Sequence, residues 1–234
     1  MADQATKRAE YAHRHRPPRL CDAVLFDLDG TLLDSLEDLA DSMNEVLRSA
    51  GFPGHSTAAY RYFVGDGMEV LVRRAVPADR ADEAMVGACL AAMREEYGRR
   101  YAVKTRPYPG VPELLDGLEA RGVRTAVFTN KPHDAAVQMV GKLLGRWRFE
   151  QVLGQRPGFP RKPDPSGALE VTRRMGLDAR RFLYLGDTAT DMLTARAAGM
   201  RPVGALWGFR TREELEAAGA EVLIETPPEL LEHL

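Results

Sequence analysis

The sequence predicts an α/β protein with a Rossmann-like parallel sheet core and a helical insertion. Three observations favour this class. Short apolar runs alternate with amphipathic helices beyond residue 107, the run Val24–Phe26 ends in a polar turn, and residues 42–106 carry helical patterns without an evident strand. We therefore divide the chain into an α/β core of residues 21–41 and 107–234 and a helical domain of residues 42–106.

The first strand and the first helix are predicted from one continuous stretch. Val24–Phe26 has the pattern of a buried strand, and the polar turn Asp27–Thr31 ends it. Ser35 followed by Asp38 has the spacing of a capping box, so a helix is predicted to begin there and to end at Gly51. An acidic turn therefore lies between a buried strand and a helix.

The insertion is predicted to be helical throughout. Its helical patterns cover residues 57–64, 68–75 and 79–101. The segment Gly65-Asp66-Gly67 separates the first two of these helices, and Pro77 separates the last two.

After the insertion, helices and short apolar strands alternate. The predicted strands are residues 123–129, 151–153, 182–185 and 202–206. The predicted helices are residues 111–120, 133–144, 165–175 and 191–198. Such an alternation implies a parallel sheet that is covered by helices on both faces.

Composition and charge limit the partners that this protein can bind. The chain has 234 residues, of which 44% are hydrophobic and 28% are charged, and its formal net charge is −2. This charge gives no footprint for nucleic acid, and no apolar run reaches the roughly 18 residues that a membrane span needs. We expect neither a nucleic acid nor a membrane as a partner.

The cysteines and the first residues bear on location. Cys21 and Cys89 are far apart and belong to no C-x-x-C pair, which excludes a disulfide framework and gives no support for a zinc site. We predict a cytoplasmic location, because proteins without disulfides are typical of reducing compartments. Residues 1–20 hold five basic and two acidic residues and no apolar stretch, which predicts a disordered tail rather than a secretory signal.

Acidic and polar residues lie at the ends of the predicted elements, where ligands bind in doubly wound sheets. These residues are Asp27, Asp29, Thr129, Asn130, Lys131, Lys162, Asp187 and Asp191. Carboxylates at one sheet edge repel one another, since two unit charges about 4 Å apart cost roughly 4 kcal/mol at an effective dielectric near 20. A bound cation relieves this repulsion, and a small set of oxygen donors favours Mg²⁺.

Four segments resemble the motifs of the haloacid dehalogenase-like superfamily. The first is Val24–Thr31, with the pattern h-h-h-D-x-D-G-T, and the others are Phe128-Thr129-Asn130, Lys162-Pro163-Asp164-Pro165 and Leu185–Asp191. The first motif alone is moderately specific, and the order of all four makes coincidence a poor explanation. The resemblance implies that the helical insertion is a C1-type cap domain, which closes over the site.

The resemblance also implies roles for the motif residues. Asp27 would be the nucleophile that forms an aspartyl-phosphate, and Asp29 would act first as general acid and then as general base. Lys162 would neutralise the transferring phosphoryl group, which Thr129 and the N–H of Asn130 would bind. Mg²⁺ would be held by the carboxylates of Asp27 and Asp187 and the backbone carbonyl of Asp29, with support from Asp191.

The cap loop and the second motif also resemble those of the phosphoglycolate phosphatase subfamily. The loop contains Gly65, Asp66 and Gly67, which are expected to approach an anionic substrate, and the second motif continues into Lys131. The resemblance implies a small-molecule phosphomonoester, 2-phosphoglycolate, hydrolysed to glycolate and phosphate by a monomer or homodimer. Sugar phosphates, amino-sugar phosphates, nucleotides and pyrophosphate stay open as substrates, as do a phosphomutase and a non-catalytic binding module.

Several polar residues also have purely structural interpretations. Asp34 and Ser35 are expected to cap the first helix, and Asp164 is expected to cap the helix predicted at residues 165–175. His133 is expected to be a surface residue at a helix start. Lys131 lies in a segment that could be either a turn entering a helix or a substrate contact.

Overall fold

The computed structural model describes residues 21–234, so the predicted disordered tail of residues 1–20 lies outside the described part. The strands are β1 Ala23–Phe26, β2 Leu33–Asp34, β3 Arg106–Pro107, β4 Arg124–Pro132, β5 Gln151–Gln155, β6 Phe182–Gly186, β7 Arg201–Ala205 and β8 Val222–Ile224. The α-helices are α1 Leu36–Ser49, α2 Thr57–Phe63, α3 Met68–Ala75, α4 Glu83–Arg100, α5 Val111–Ala120, α6 His133–Leu143, α7 Ser166–Met175, α8 Ala189–Ala198 and α9 Arg212–Ala217. Short 3₁₀ turns cover Ala78–Arg80, Ala179–Arg181 and Pro227–His233.

Within residues 21–234, six strands form one parallel sheet in the order β5-β4-β1-β6-β7-β8. Strand β1 is central, with Phe26 beside Val127 of β4 and Leu185 of β6. The chain moves outward from β1 in one direction through β4 and β5, and then returns to its other side with β6. This switch opens a crevice beyond the carboxyl ends of β1, β4 and β6. The predicted α/β class with a parallel sheet is confirmed.

The sheet is buried on both faces. Val24 and Phe26 of β1 point to one face and pack in a cluster with residues of α5 and α6, such as Leu115 and Met139. Ala23 and Leu25 point to the other face and pack in a second cluster with residues of α7 and α8. Because successive side chains alternate between faces, a continuous apolar strand such as β1 requires this double cover.

Helices α1 to α4 pack around an apolar cluster of their own. Met43, Tyr60, Val72 and Met93 belong to it and are almost wholly buried, and Phe209, from the segment after β7, joins them. Helix α1 runs through the boundary that we predict at residues 41–42. Among residues 21–234, no helix is both long and apolar enough to cross a membrane.

The two chain connections between the sheet and this helical region lie side by side. Strands β2 and β3 pair antiparallel, with Leu33 beside Pro107. The Asp38 carboxylate accepts hydrogen bonds from the backbone N–H of Lys104 and of Thr105, at 2.9 and 2.8 Å, and from the Thr105 hydroxyl. Asp38 therefore ties the end of the insertion to α1, and the predicted capping box with Ser35 is wrong.

Candidate active site

The acidic turn after β1 begins the site. Gly30 adopts φ +91°, a backbone conformation that other residues rarely adopt, and a Cβ atom there would collide with the Asp187 carboxylate. The N–H of Leu33 donates to the carbonyl of Leu28 at 2.9 Å, which closes the turn. Because the turn departs from an extended strand, both Asp27 and Asp29 can line one cavity beyond the sheet.

Three buried carboxylates meet beside this turn. One oxygen each of Asp27, Asp187 and Asp191 lies within 4.8 Å of the others. Asp187 accepts hydrogen bonds from the Thr31 hydroxyl and from the backbone N–H of Phe209, both at 2.8 Å. These bonds hold its two oxygens in fixed directions.

Asp191 is held mainly by its own helix. It lies at the third position of α8, where its Oδ2 atom accepts from the backbone N–H of Thr188 at 3.0 Å and from its hydroxyl at 2.7 Å. Its Oδ1 atom faces Lys162 Nζ at 2.6 Å. Both oxygens of Asp191 therefore accept from protein groups, and one of these groups is the Lys162 ammonium, which pairs with no oxygen of Asp187 among residues 21–234.

Lys162 is the cation within ion-pair distance of this cluster among residues 21–234. Its Nζ atom lies 2.6 Å from Asp191 and 2.8 Å from Asp27, and its side chain is only 2% exposed. Burial alone would lower the pKa of Lys162, but the two carboxylates raise it well above its ordinary value. Lys162 is therefore charged, and three ionised carboxylates beside it leave a net charge of −2.

This excess negative charge appears in the pKa values of the carboxyl groups. Burial raises the pKa of Asp27 to about 6, although Lys162 opposes the rise. Burial also raises the pKa of Asp187 to about 8, with further contributions from the charges of Asp191 and Asp27. Without a second cation, the site can hold these groups together only by keeping protons on them.

The donor set fits a hard divalent cation. Every candidate ligand is an oxygen atom, and a charge of +2 balances the excess left by Lys162. The Oδ1 atom of Asp27 is buried and accepts no hydrogen bond of good geometry from the described residues, since its contact with Lys162 is an ion pair. A carboxylate oxygen that lies beside two other carboxylates and has one ammonium group as its partner is a group that a further cation would stabilise.

Asp29 is held by two partners from different elements. The Ser35 hydroxyl donates to Asp29 Oδ1 at 2.6 Å, and Lys131 Nζ lies 3.1 and 2.9 Å from the two carboxylate oxygens. Ser35 occupies the N-cap position of α1, but its side chain makes no capping bond, so the side-chain capping predicted for it is wrong. Lys131 is buried within β4, so the interpretation of its segment as a turn is also wrong.

Thr129 and Asn130 lie at the end of β4, and both are buried. The Asn130 side chain bridges two segments, because its Oδ1 accepts from the N–H of Lys162 at 2.9 Å and its Nδ2 donates to the carbonyl of Gly65 at 3.1 Å. Asn130 therefore fixes Lys162 and the Gly65 loop relative to β4. Its backbone N–H is the group that sequence reasoning assigned to phosphate.

A small cavity lies between the acidic turn, β4 and the helical region. It leaves about 40 Å³ for the centres of water molecules. Its lining residues are Asp27, Asp29, Leu39, Val64, Gly65, Gly67, Met68, Leu71, Thr129, Asn130, Lys131 and Pro132. The cavity is therefore charged on the sheet side and apolar on the helical side.

The loop Gly65-Asp66-Gly67 contributes its two glycines to this cavity, whereas Asp66 lies outside the lining. The Asp66 carboxylate accepts from the Thr190 hydroxyl at 3.1 Å and pairs with Arg74 at 2.7 Å. Arg210 donates to the carbonyl of Val64 at 2.9 Å. These contacts anchor the loop to α3 and to segments beside the acidic cluster.

The other polar residues singled out in the sequence lie outside the cavity lining. Asp164 accepts from the N–H of Ser166 at 2.9 Å, but Pro165 is the N-cap residue of α7 and no side chain caps this helix, so the capping role predicted for Asp164 is wrong. His133 begins α6 and is half-buried, and the N–H of Gly154 donates to its Nδ1 atom at 3.3 Å. Asp34 is an exposed residue of β2.

Two residues from distant segments also reach the site, and the sequence does not predict them. The hydroxyl of Tyr97 on α4 accepts a hydrogen bond from Lys131 Nζ at 2.9 Å. The N–H of Phe209 supports Asp187 from the segment after β7. Neither belongs to a local pattern that marks a functional residue, because each contact depends on how the helical region and β7 are placed in three dimensions.

Comparison with known proteins agrees with this geometry. A sequence model described as haloacid dehalogenase-like hydrolase matches residues 24–205. The chain is 36% identical to a phosphoglycolate phosphatase of Pseudomonas putida, over 89% of this chain and 76% of that protein. It is also 36% identical to a phosphoglycolate phosphatase of Xanthomonas campestris, over 90% of this chain and 95% of that protein.

A solved structure extends the likeness to three dimensions. The crystal structure of "a predicted phosphoglycolate phosphatase" from Haemophilus somnus superposes with a TM-score of 0.85 at 28% identity, covering 92% of this chain and 99% of that one. The matched family region contains all three carboxylates of the cluster and Lys162. The chain therefore belongs to the haloacid dehalogenase-like hydrolase family.

Proposed function

We propose that this protein is a Mg²⁺-dependent phosphatase that hydrolyses 2-phosphoglycolate through an aspartyl-phosphate on Asp27. The observation that carries the proposal is the contact of buried Asp27 with Lys162 at 2.8 Å, inside a cluster of three carboxylates whose charge Lys162 balances only in part. Relatives named phosphoglycolate phosphatase, about 36% identical, support the choice of substrate.

In the first half of the reaction, a carboxylate oxygen of Asp27 attacks phosphorus. A bond forms between this oxygen and phosphorus, and the ester bond between phosphorus and the glycolate oxygen breaks. Asp29 donates its proton to the departing oxygen, so the leaving group is the neutral hydroxyl of glycolate rather than an alkoxide. Both side chains line the same cavity, which this division of roles requires.

In the second half, water attacks the phosphorus of the aspartyl-phosphate. Asp29, now ionised, takes a proton from that water, and the bond between phosphorus and Asp27 breaks to release inorganic phosphate. The enzyme returns to its starting state with Asp29 protonated. Lys131 and Ser35, which contact Asp29, hold its carboxyl group toward the cavity in both halves.

The proposed Mg²⁺ would be held by the carboxylates of Asp27 and Asp187 and by the backbone carbonyl of Asp29. When bound, it would offset the negative charge that a phosphomonoester brings beside these carboxylates. Asp191 would support the ligands through Lys162, because its oxygens already bind Lys162 and Thr188.

The remaining lining residues would bind the substrate. Thr129 and the N–H of Asn130, in the second half of β4 and close to Lys162, would contact the phosphoryl oxygens. Gly65 and Gly67 offer backbone on the opposite side, whereas the ammonium group of Lys131 is directed to Asp29 and Tyr97.

Asp66 would act indirectly in this proposal. Its contacts with Thr190 and Arg74 would hold the cap loop against the core. Treating residues 42–106 as a cap domain, with residues 21–41 and 107–234 as the catalytic core, is part of the same proposal. A monomeric or homodimeric, cytoplasmic enzyme acting on a small molecule completes it.

A phosphate-release screen with added Mg²⁺ tests the proposal. The panel contains 2-phosphoglycolate, sugar and amino-sugar phosphates, nucleotides and pyrophosphate, with Asp27→Asn as the inactive control. We expect kcat/KM to be highest for 2-phosphoglycolate. A preference of more than about tenfold for another compound, which is about 1.4 kcal/mol in transition-state binding, would overturn the substrate choice.

The same reaction mixtures distinguish the proposed phosphatase from a phosphomutase and from a binding module. A phosphomutase would return the phosphoryl group to an acceptor sugar instead of releasing phosphate, so product analysis distinguishes it. A binding module without catalysis would release no phosphate from any compound of the panel.

A further inference from the structure

Tyr97 reaches the site from the helical region. It lies on α4, is 2% exposed, and its hydroxyl oxygen is 2.9 Å from Lys131 Nζ on β4. The Lys131 ammonium group also lies 4.6 Å from the centre of the Tyr97 ring. The Tyr97 hydroxyl donates its own proton to Met139 Sδ at 3.8 Å, which leaves its oxygen lone pairs for Lys131.

Lys131 has few other partners. Its side chain is 3% exposed, and its ammonium group contacts Asp29 and Tyr97. Burial alone would lower the pKa of Lys131, but Asp29 and Tyr97 raise it above its ordinary value, so it stays charged. A buried ammonium group needs partners for its three N–H donors, and losing one leaves an expensive unsatisfied donor.

The charge of Asp29 changes during the proposed reaction. Asp29 is ionised when it acts as base and neutral when it acts as acid, so its attraction for Lys131 is not constant. A neutral acceptor that does not titrate near pH 7 can keep Lys131 in place through both states. Burial raises the pKa of Tyr97, so its hydroxyl stays neutral.

We propose that Tyr97 is a positioning residue, which holds Lys131 against Asp29 and so places the proton-transferring carboxyl group correctly. The inference rests on the proposed phosphatase function and adds a residue of the helical region to it. Efficient proton transfer would then require that α4 hold Tyr97 beside Lys131. This requirement would couple the helical region to the chemistry.

Two double-mutant cycles test this inference with 2-phosphoglycolate and Mg²⁺. Tyr97→Phe removes one hydroxyl and keeps the ring. We expect it to lower kcat about tenfold, the effect of one hydrogen bond to a charged group, with a smaller change in KM. The same substitution is then made in Lys131→Met and in Asp29→Asn backgrounds, where it should change kcat less than about twofold.

Tyr60→Phe is the matched control, because Tyr60 is also a buried tyrosine of the helical region and donates to Asn44 at 2.8 Å, outside the cavity lining. Thermal unfolding is measured for both variants, and we expect Tyr60→Phe to keep kcat within about twofold of the wild type.

The possible results separate the two proposals. A full tenfold loss in the Lys131→Met background would mean that Tyr97 acts only through the general packing of α4, and would overturn the inference. A loss that vanishes with Lys131→Met but persists with Asp29→Asn would mean that Lys131 acts on the substrate instead, and would also overturn it. If the wild type releases phosphate and Tyr97→Phe is as active, this inference alone fails. If the wild type releases none, the proposed function fails.

Discussion

The ammonium group of Lys162 lies 2.8 Å from Asp27 Oδ1, and both side chains are less than 10% exposed. The same ammonium group lies 2.6 Å from Asp191, so one buried cation serves two buried carboxylates. Asp187, the third carboxylate of the cluster, is stabilised by two hydrogen-bond donors but by no cation within ion-pair distance among residues 21–234. This imbalance is the physical basis of the proposed metal dependence.

Replacing Lys162 should therefore cost more activity than replacing an exposed lysine. Lys162→Met removes the cation beside Asp27, so we expect kcat with 2-phosphoglycolate to fall by at least about a hundredfold. Lys142→Met, at an exposed position on α6, is the matched control and should stay near the wild-type rate. Steady-state phosphate release measures both. A loss of only about threefold for Lys162→Met would contradict the proposed role.

Asp29 should matter most for poor leaving groups. Asp29→Asn removes the proton donor, so kcat/KM for 2-phosphoglycolate, which has an alkyl leaving group, should fall by at least about a hundredfold. The p-nitrophenolate ion leaves without a proton, so kcat/KM for p-nitrophenyl phosphate should fall much less. Equal losses for the two substrates would be inconsistent with general acid catalysis by Asp29.

The Ser35 hydroxyl should contribute to catalysis, because it donates to Asp29 at 2.6 Å. Ser35→Ala removes a hydrogen bond to a charged group, so we expect kcat to fall about tenfold. Ser42→Ala on the same helix is the matched control, since the buried Ser42 hydroxyl donates to the carbonyl of Asp38 rather than to the site. If both serine variants lose activity equally, helix stability rather than contact with Asp29 explains the effect.

The metal-free protein should become less stable as pH rises. Burial raises the pKa of Asp27 to about 6 and that of Asp187 to about 8. Both groups titrate near pH 4 when unfolded, so between about pH 4 and 8 the folded state binds more protons. The free energy of unfolding therefore falls with rising pH, and the stabilisation from these protons is lost as pH passes the folded pKa values.

Thermal unfolding in EDTA checks this, with Tm expected to decrease from about pH 5.5 to about pH 8.5. Mg²⁺ should reduce the decrease, because it stabilises the ionised carboxylates. Asp187→Asn should flatten the pH dependence in EDTA, since it removes the group with the higher pKa. A Tm that rises through this interval in EDTA would be incompatible with the charge imbalance described above.

Much of the fold follows from local patterns. The apolar runs that form β1 and β6, and the periodic segments that form α3 and α5, lie close to their predicted bounds. The pairing of β2 with β3 and the edge strand β8 were missed, because strands of two or three residues carry too little periodicity. Strand β4 continues to Pro132, beyond its predicted end, since Asn130 and Lys131 find buried polar partners there.

The sequence predicts the acidic residues of the candidate site but not the residues that hold them in place. Asp27, Asp187 and Asp191 meet as expected, because the carboxyl ends of parallel strands share one edge of the sheet. Ser35 was misinterpreted because a serine before a helix is usually a cap, and here a carboxylate competes for its hydroxyl. Tyr97 could not be assigned, because its contact spans 34 residues of sequence and depends on tertiary packing.

Detection of the phosphoryl group on Asp27 tests the proposed mechanism most directly. The protein is mixed with 2-phosphoglycolate and Mg²⁺, quenched in acid before one turnover is complete, and analysed by mass spectrometry of its peptides. We predict one phosphoryl group on the peptide that contains Asp27, formed at least as fast as phosphate is released and absent in EDTA. Phosphate release without a covalent species on Asp27 would contradict hydrolysis through an aspartyl-phosphate.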